Sequence, residues 1–72
     1  MTEKEALAEL GKRIHHARVN ARLKQSELAE KAAISTNTLH RAENGKPIQT
    51  ATLFRILGAL GNAEAMVELL PR

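Results

Sequence analysis

The chain has no cysteine, no tryptophan and no tyrosine, and only one phenylalanine among its 72 residues. Without cysteine there can be no disulfide, no thiolate nucleophile and no Cys-based zinc or iron-sulfur site, and the expected compartment is the reducing cytoplasm. Long apolar runs are missing too. The longest span three or four residues, against roughly 20 needed to cross a bilayer. The start, Met1-Thr2-Glu3-Lys4-Glu5, is polar and acidic, so neither a membrane span nor a signal peptide is expected. Length excludes a second domain: residues 1–72 form one unit, and a chain this short hides only about 60% of its extended surface on folding.

What is present is charge, unevenly placed. Eleven Lys and Arg against eight Asp and Glu give a formal net charge of +3 and a pI near 9.8, a balance that suits a polyanionic partner. Between Gly11 and Ser26 stand Lys12, Arg13, Arg18, Arg22 and Lys24, with His15 and His16, and no carboxylate. One end of the fold is therefore expected to be basic. Compensating acids flank it: Glu3, Glu5 and Glu9 before, Glu27 and Glu30 after, Glu64 and Glu68 near the C-terminus.

Apolar residues recur at spacings of three and four, with no sustained alternation, so the pattern predicts an all-α fold without strands. Leu7, Leu10, Ile14, Ala17 and Ala21 make the inward stripe of a first helix over Glu3 to Ala21. Gln25 to Ala32 forms a short second helix with Leu28, Ala29 and Ala32 inward, and Glu27 sits in its first turn, where the helix dipole favours an anion. Ser35 is an N-cap for a third helix, Thr36 to Glu43, which Asn44-Gly45 ends. Leu53, Ile56, Leu57 and Leu60 define a fourth helix, stopped by Gly61-Asn62. A fifth, Ala63 to Leu70, is closed by Pro71.

The second and third helices, joined by three residues, form a helix-turn-helix pattern over about 25–44. On a wheel with Thr36 at 0°, His40 falls at about 40°, Asn44 at about 80°, Asn37 at about 100° and Arg41 at about 140°, while Ala42 and Leu39 fall opposite at about 240° and 300°. Most polar helix faces are merely solvated. One that gathers Thr, Asn, His and Arg inside this motif fits the DNA major groove, about 12 Å wide, where Arg suits guanine O6 and N7 and Asn suits adenine N6 and N7.

The stretch LGKRIHHARVNARLKQSELAEKAAISTNTLHRAENGK, continuing through TLFRILGALG, resembles the lambda-repressor/Cro-like helix-turn-helix family, also called the XRE family. The likeness rests on Leu10-Gly11 with Ile14 and Arg18, Gln25 with Leu28-Ala29, Ile34-Ser35, Leu39 and Glu43-Asn44-Gly45, and covers roughly Leu10 to Gly61. It implies a compact five-helix DNA-binding domain. In it Gln25 would hold a backbone phosphate, Thr36, Asn37 and Arg41 would read bases, and Arg18 and Glu43 would form an internal ion pair tying the first helix to the end of the third. His40 joins the base-reading face. Thr38, Lys24, Lys46 and Arg22 are further candidates for phosphate.

Departures from the family pattern are local. Lys24 stands where a cap with an acceptor oxygen is usual, Ala33 occupies a turn position that favours glycine, and Ala42 is smaller than the usual Ile or Leu. The loop after the third helix is about one residue short. Other chemistries find little support. Adjacent His15 and His16 point about 100° apart and lack an i+4 ligand, so no metal is expected. No nucleophile has a base with a third orienting group, so neither catalysis nor a small-molecule substrate or cofactor is expected. Without Trp, the basic first helix is a poor membrane binder.

Phe54, Met66, Val67 and Leu70 exceed what one buried stripe needs, and they point to a homodimer through the fifth helix and the loop before it. Two copies would place their third helices in successive major grooves about 34 Å apart and bind a palindromic operator, most simply as a repressor. The ending TLFRILGALGNAEAMVELLP resembles small HipB-like antitoxins. That resemblance adds autoregulation and a kinase-type toxin as a possible protein partner; a restriction-modification controller is a further family role.

Overall fold

The computed structural model describes residues 1–72 and contains helices only: α1 (Glu3–Asn20), α2 (Gln25–Ala32), α3 (Thr36–Glu43), α4 (Thr50–Ala59) and α5 (Glu64–Val67). α1 starts at a capping box in which the Thr2 hydroxyl accepts from the Glu5 N–H at 3.1 Å and the Glu5 carboxylate accepts from the Thr2 N–H at 3.0 Å. Two orphan donors of the first turn are thereby satisfied. The Thr2 backbone and hydroxyl hydrogen bonds hold the Glu5 carboxyl below its ordinary range. α2 has half of such a box. The Glu27 carboxylate accepts from the Lys24 N–H at 2.8 Å, while the Lys24 side chain offers no acceptor in return. α3 is capped by Ser35, whose hydroxyl accepts from the Thr38 N–H at 3.0 Å.

The four longer helices end in the same way. At α1 the Leu23 N–H reaches back to the Arg18 carbonyl, at α2 Ile34 to Ala29, at α3 Lys46 to Arg41, and at α4 Asn62 to Leu57. Each closure requires one residue with positive φ. Gly45 and Gly61 supply it at +75° and +79°, but Arg22 and Ala33 take it at +59° and +56°. The strain expected at Ala33 is thus present, and Arg22 shares it.

Each of the first four helices sends one large side chain to a common centre: Ile14, Leu28, Leu39 and Ile56, the last three fully enclosed. Ala29 and Ala42 complete this cluster, and Leu10, Leu23, Ile34, Ile48, Leu53 and Leu60 pack around it half-buried. α3 lies between α1 and α2, and α4 closes over α2. The small Ala42 leaves no hole, because the helices approach instead of a side chain filling the space. A β-carbon on Gly11 of α1 would lie 2.7 Å from the Ala42 carbonyl oxygen and 2.6 Å from that of Glu43.

Three expectations need correction. α1 ends at Asn20, and Ala17 and Ala21 are exposed rather than inward, since α4 does not close down on this side of α1. Ala17 instead lines an open groove with Leu10, Ile14, Leu57 and Leu60. α5 is a single turn, Glu64–Val67, not Ala63 to Leu70. Pro71 disfavours the α conformation at Leu70, and a short helix persists only where packing supports it; Leu69 and Leu70 are 70% and 80% exposed.

Candidate nucleic-acid interface

α3 divides cleanly between its two faces. Leu39 and Ala42 are buried in the core, and Thr36, Asn37, His40, Arg41 and Asn44 are exposed on the other side. The buried pair fixes the rotation of the helix, so the outward face is decided by burial of Leu39 and Ala42. Thr36, Asn37 and Arg41 make no side-chain hydrogen bond within the chain, which leaves their donors and acceptors free. Asn44 is committed elsewhere: its Nδ2 donates to the His40 carbonyl at 2.7 Å and closes the end of α3. Half-buried Thr38 shares a hydroxyl hydrogen bond of 2.8 Å with the Ser35 cap.

At the start of α2 lie Arg22, Lys24 and Gln25. Arg22 and Lys24 are exposed, and the first-turn N–H groups of α2 carry the positive end of the helix dipole. Lys46, beyond the other end of α3, is exposed as well. Lys46 donates its backbone N–H to the Arg41 carbonyl at the end of α3, and all three cations are exposed.

Behind the face is a network centred on one carboxylate. Arg18 Nε donates to Glu43 Oε2 at 2.7 Å and Nη2 to Oε1 at 3.2 Å, with side chains only 11% and 4% exposed. The Arg18 Nη1 also donates to the Leu23 carbonyl at 2.8 Å, tying α1 to the turn before α2. Glu43 Oε1 further accepts from Gln25 Nε2 at 3.1 Å and lies 3.0 Å from His15 Nδ1. Burial pushes the Glu43 carboxyl upward, but the hydrogen bonds from Arg18, His15 and Gln25 and the Arg18 charge outweigh it and hold it below the ordinary carboxylate range. α1, α2 and α3 are thus joined by one side chain.

Sequence reasoning did not assign His15 or Gln25 to this network. His15 stands three residues before Arg18, on the same face of α1, and that spacing was its one legible signal. Arg55 was also missed: its Nη1 donates to the Ala33 carbonyl at 3.3 Å and links α4 to the strained turn. No local pattern joins positions 22 apart.

The surplus apolar residues lie at the far end. Phe54 is 51% exposed and Val67 77%, and both line a shallow depression with Ala63 and Glu64. Leu70 is exposed, whereas Met66 is half-buried.

Known proteins place this arrangement. A family model described as a helix-turn-helix domain matches residues 9–70. The chain is also 43% identical, over 49 residues, to the HTH-type transcriptional regulator PrtR of Pseudomonas aeruginosa. That match covers 68% of this chain and 19% of the relative, so the chain spans a small part of that protein's length. With all-helical architecture, a two-helix motif at α2 and α3 and a family match over most of its length, the chain belongs to the helix-turn-helix domain family.

Proposed function

We propose that the protein binds double-stranded DNA sequence-specifically as a homodimer, with α3 in the major groove, and acts as a repressor. The observation that carries this reading is the outward face of α3, where Thr36, Asn37 and Arg41 are exposed and unpaired on a helix anchored by Leu39 and Ala42. Thr36, Asn37, His40 and Arg41 discriminate between bases. Gln25, Thr38, Lys24, Lys46 and Arg22 hold phosphates, which position the protein and supply most of the affinity.

Exposed apolar side chains support the dimer. Phe54, Val67, Leu69 and Leu70 are all at least half exposed on α4, α5 and the residues after it, with half-buried Met66 beside them.

The decisive experiment is selection of bound duplexes from a random pool. A palindromic consensus with half-sites about one helical turn apart is expected. Recovery of no preferred sequence, together with no salt-sensitive duplex binding, would leave a protein-interaction module instead. The same exposed α5 end favours a second reading, a HipB-like antitoxin that holds a kinase-type toxin and represses its own operon. A stable heterocomplex with the product of a neighbouring kinase-like coding sequence is its test.

A further inference from the structure

The bonding of Gln25 has a polarity that its exposure alone does not reveal. A glutamine amide offers hydrogens on one side only, and a phosphate oxygen can be held by Nε2 but not by Oε1. Gln25 is the first residue of α2 and half-buried, and its Nε2 donates to Glu43 Oε1 at 3.1 Å. Turning the amide over would set Oε1 against a carboxylate oxygen, two acceptors without a hydrogen between them. The carboxylate itself is held in place, since Arg18 grips both of its oxygens at 2.7 and 3.2 Å.

We infer that Glu43 is a positioning residue for the phosphate contact of Gln25. It takes one Nε2 hydrogen, fixes which edge of the amide is presented, and leaves the second hydrogen beside the free N–H groups that open α2. Because Glu43 is the last residue of α3, the helix that carries the base-reading side chains also aims the phosphate clamp. Contact with backbone and contact with bases are thereby held in one register. This inference rests on the reading of Gln25 as a phosphate ligand.

The test is the isosteric substitution Glu43→Gln. Arg18 Nε keeps the new amide's oxygen in the Oε2 position, so the new NH₂ group takes the place of Oε1 and faces the Gln25 donor. Gln25 must then turn its oxygen to that side and lose the phosphate. Gln25 carries no charge and displaces no counterion, so its phosphate contact shows in affinity at fixed salt and not in the salt slope. Gln25→Ala should weaken binding to all duplexes alike by roughly 10- to 100-fold for the dimer, E43Q should give the same loss, and the double variant no more than either. Arg18→Lys, which weakens the same ion pair but leaves the carboxylate facing Gln25, should keep the affinity while lowering the melting temperature.

If Q25A leaves the affinity at fixed salt unchanged, Gln25 holds no phosphate and both statements fall. If Q25A lowers it and E43Q does not, or if R18K lowers it equally, the positioning role alone is overturned. Should E43Q fail to fold, the wild-type protein answers by NMR. The Gln25 Nε2 resonance is expected to shift with the titration of the Glu43 carboxyl, and indifference to it would overturn the inference.

Discussion

Gly11 and Ala42 meet where α1 crosses α3, so closely that a β-carbon on Gly11 would stand 2.7 Å from the Ala42 carbonyl oxygen. Two neighbouring carbonyls block the space, and backbone cannot swing aside as a flexible side chain can. Gly11→Ala gains about 1 kcal/mol in helix propensity, yet it must force the helices apart and disturb the packing of Leu39. A net loss of about 1 to 3 kcal/mol is expected in chemical denaturation. A neutral or stabilising result would mean that α1 and α3 are not in this close contact.

Ala33 and Arg22 hold positive φ without being glycine, at a cost of roughly 1 to 2 kcal/mol each for an L-residue. Ala33→Gly should stabilise the fold by about 1 kcal/mol after the greater freedom of glycine in the unfolded chain is counted. For a domain of this size that is a rise of about 4 to 8 °C in melting temperature. Arg22→Gly should give a similar gain while removing a cation beside α2, so thermal stability and DNA affinity are expected to move in opposite directions.

Glu43 sets an acid limit. Its carboxyl lies lower in the folded protein than the ordinary 4.5 because hydrogen bonds from Arg18, His15 and Gln25 outweigh the effect of burial. A depressed carboxyl contributes stability that is fully present above the unfolded value and is lost as pH falls through the folded one. Unfolding free energy should therefore be flat with respect to Glu43 at neutral pH and decline below about 4.5. In E43Q that share of the acid slope should vanish. Arg18→Ala strands the 4%-exposed Glu43 carboxylate, and about 3 to 5 kcal/mol is the expected loss.

Base reading and phosphate holding separate experimentally. Arg41→Ala should cost about 1 to 3 kcal/mol on the preferred duplex and relax discrimination at one base pair per half-site. Lys46→Ala should weaken binding to all duplexes alike and lower the salt slope. Binding by the unaltered dimer should fall by about 10³ to 10⁵ between 50 and 200 mM salt if 6 to 10 phosphates are held. Equal weakening by R41A on every sequence would remove Arg41 from the base-reading set.

The apolar end of the molecule predicts its assembly. Val67, 77% exposed, and Phe54, 51% exposed, are absent from the buried core, so Phe54→Ser and Val67→Ser should leave the helical fold of the monomer in place. Sedimentation should show the dimer lost. Persistence of the dimer in the double variant would move the interface elsewhere.

Much of the architecture is visible in the residues themselves. Spacings of three and four place the inward faces of α2, α3 and α4, Ser35 marks the start of α3, and Asn44-Gly45 and Gly61-Asn62 mark two ends. These signals are local: each depends on hydrogen bonds or side-chain directions within one or two helical turns. The extent of α5 was misread for the same reason, because its apolar pattern implies a longer helix while only packing could sustain one.

Composition and periodicity alone settled that this chain is helical, that α2 and α3 make a short-linked pair, and that α3 has opposed polar and apolar faces. Tertiary structure decided what no single segment contains: the closure of α1 on α3 across Gly11 and Ala42, the left-handed turn at Arg22, the reach of Arg55 to Ala33, and the meeting of His15, Arg18 and Gln25 on Glu43. The division has a physical origin. Periodicity records how a side chain sits on its own helix, whereas these contacts join residues as far apart as Gly11 and Ala42 and exist only once the buried cluster of Ile14, Leu28, Leu39 and Ile56 has set how the helices cross.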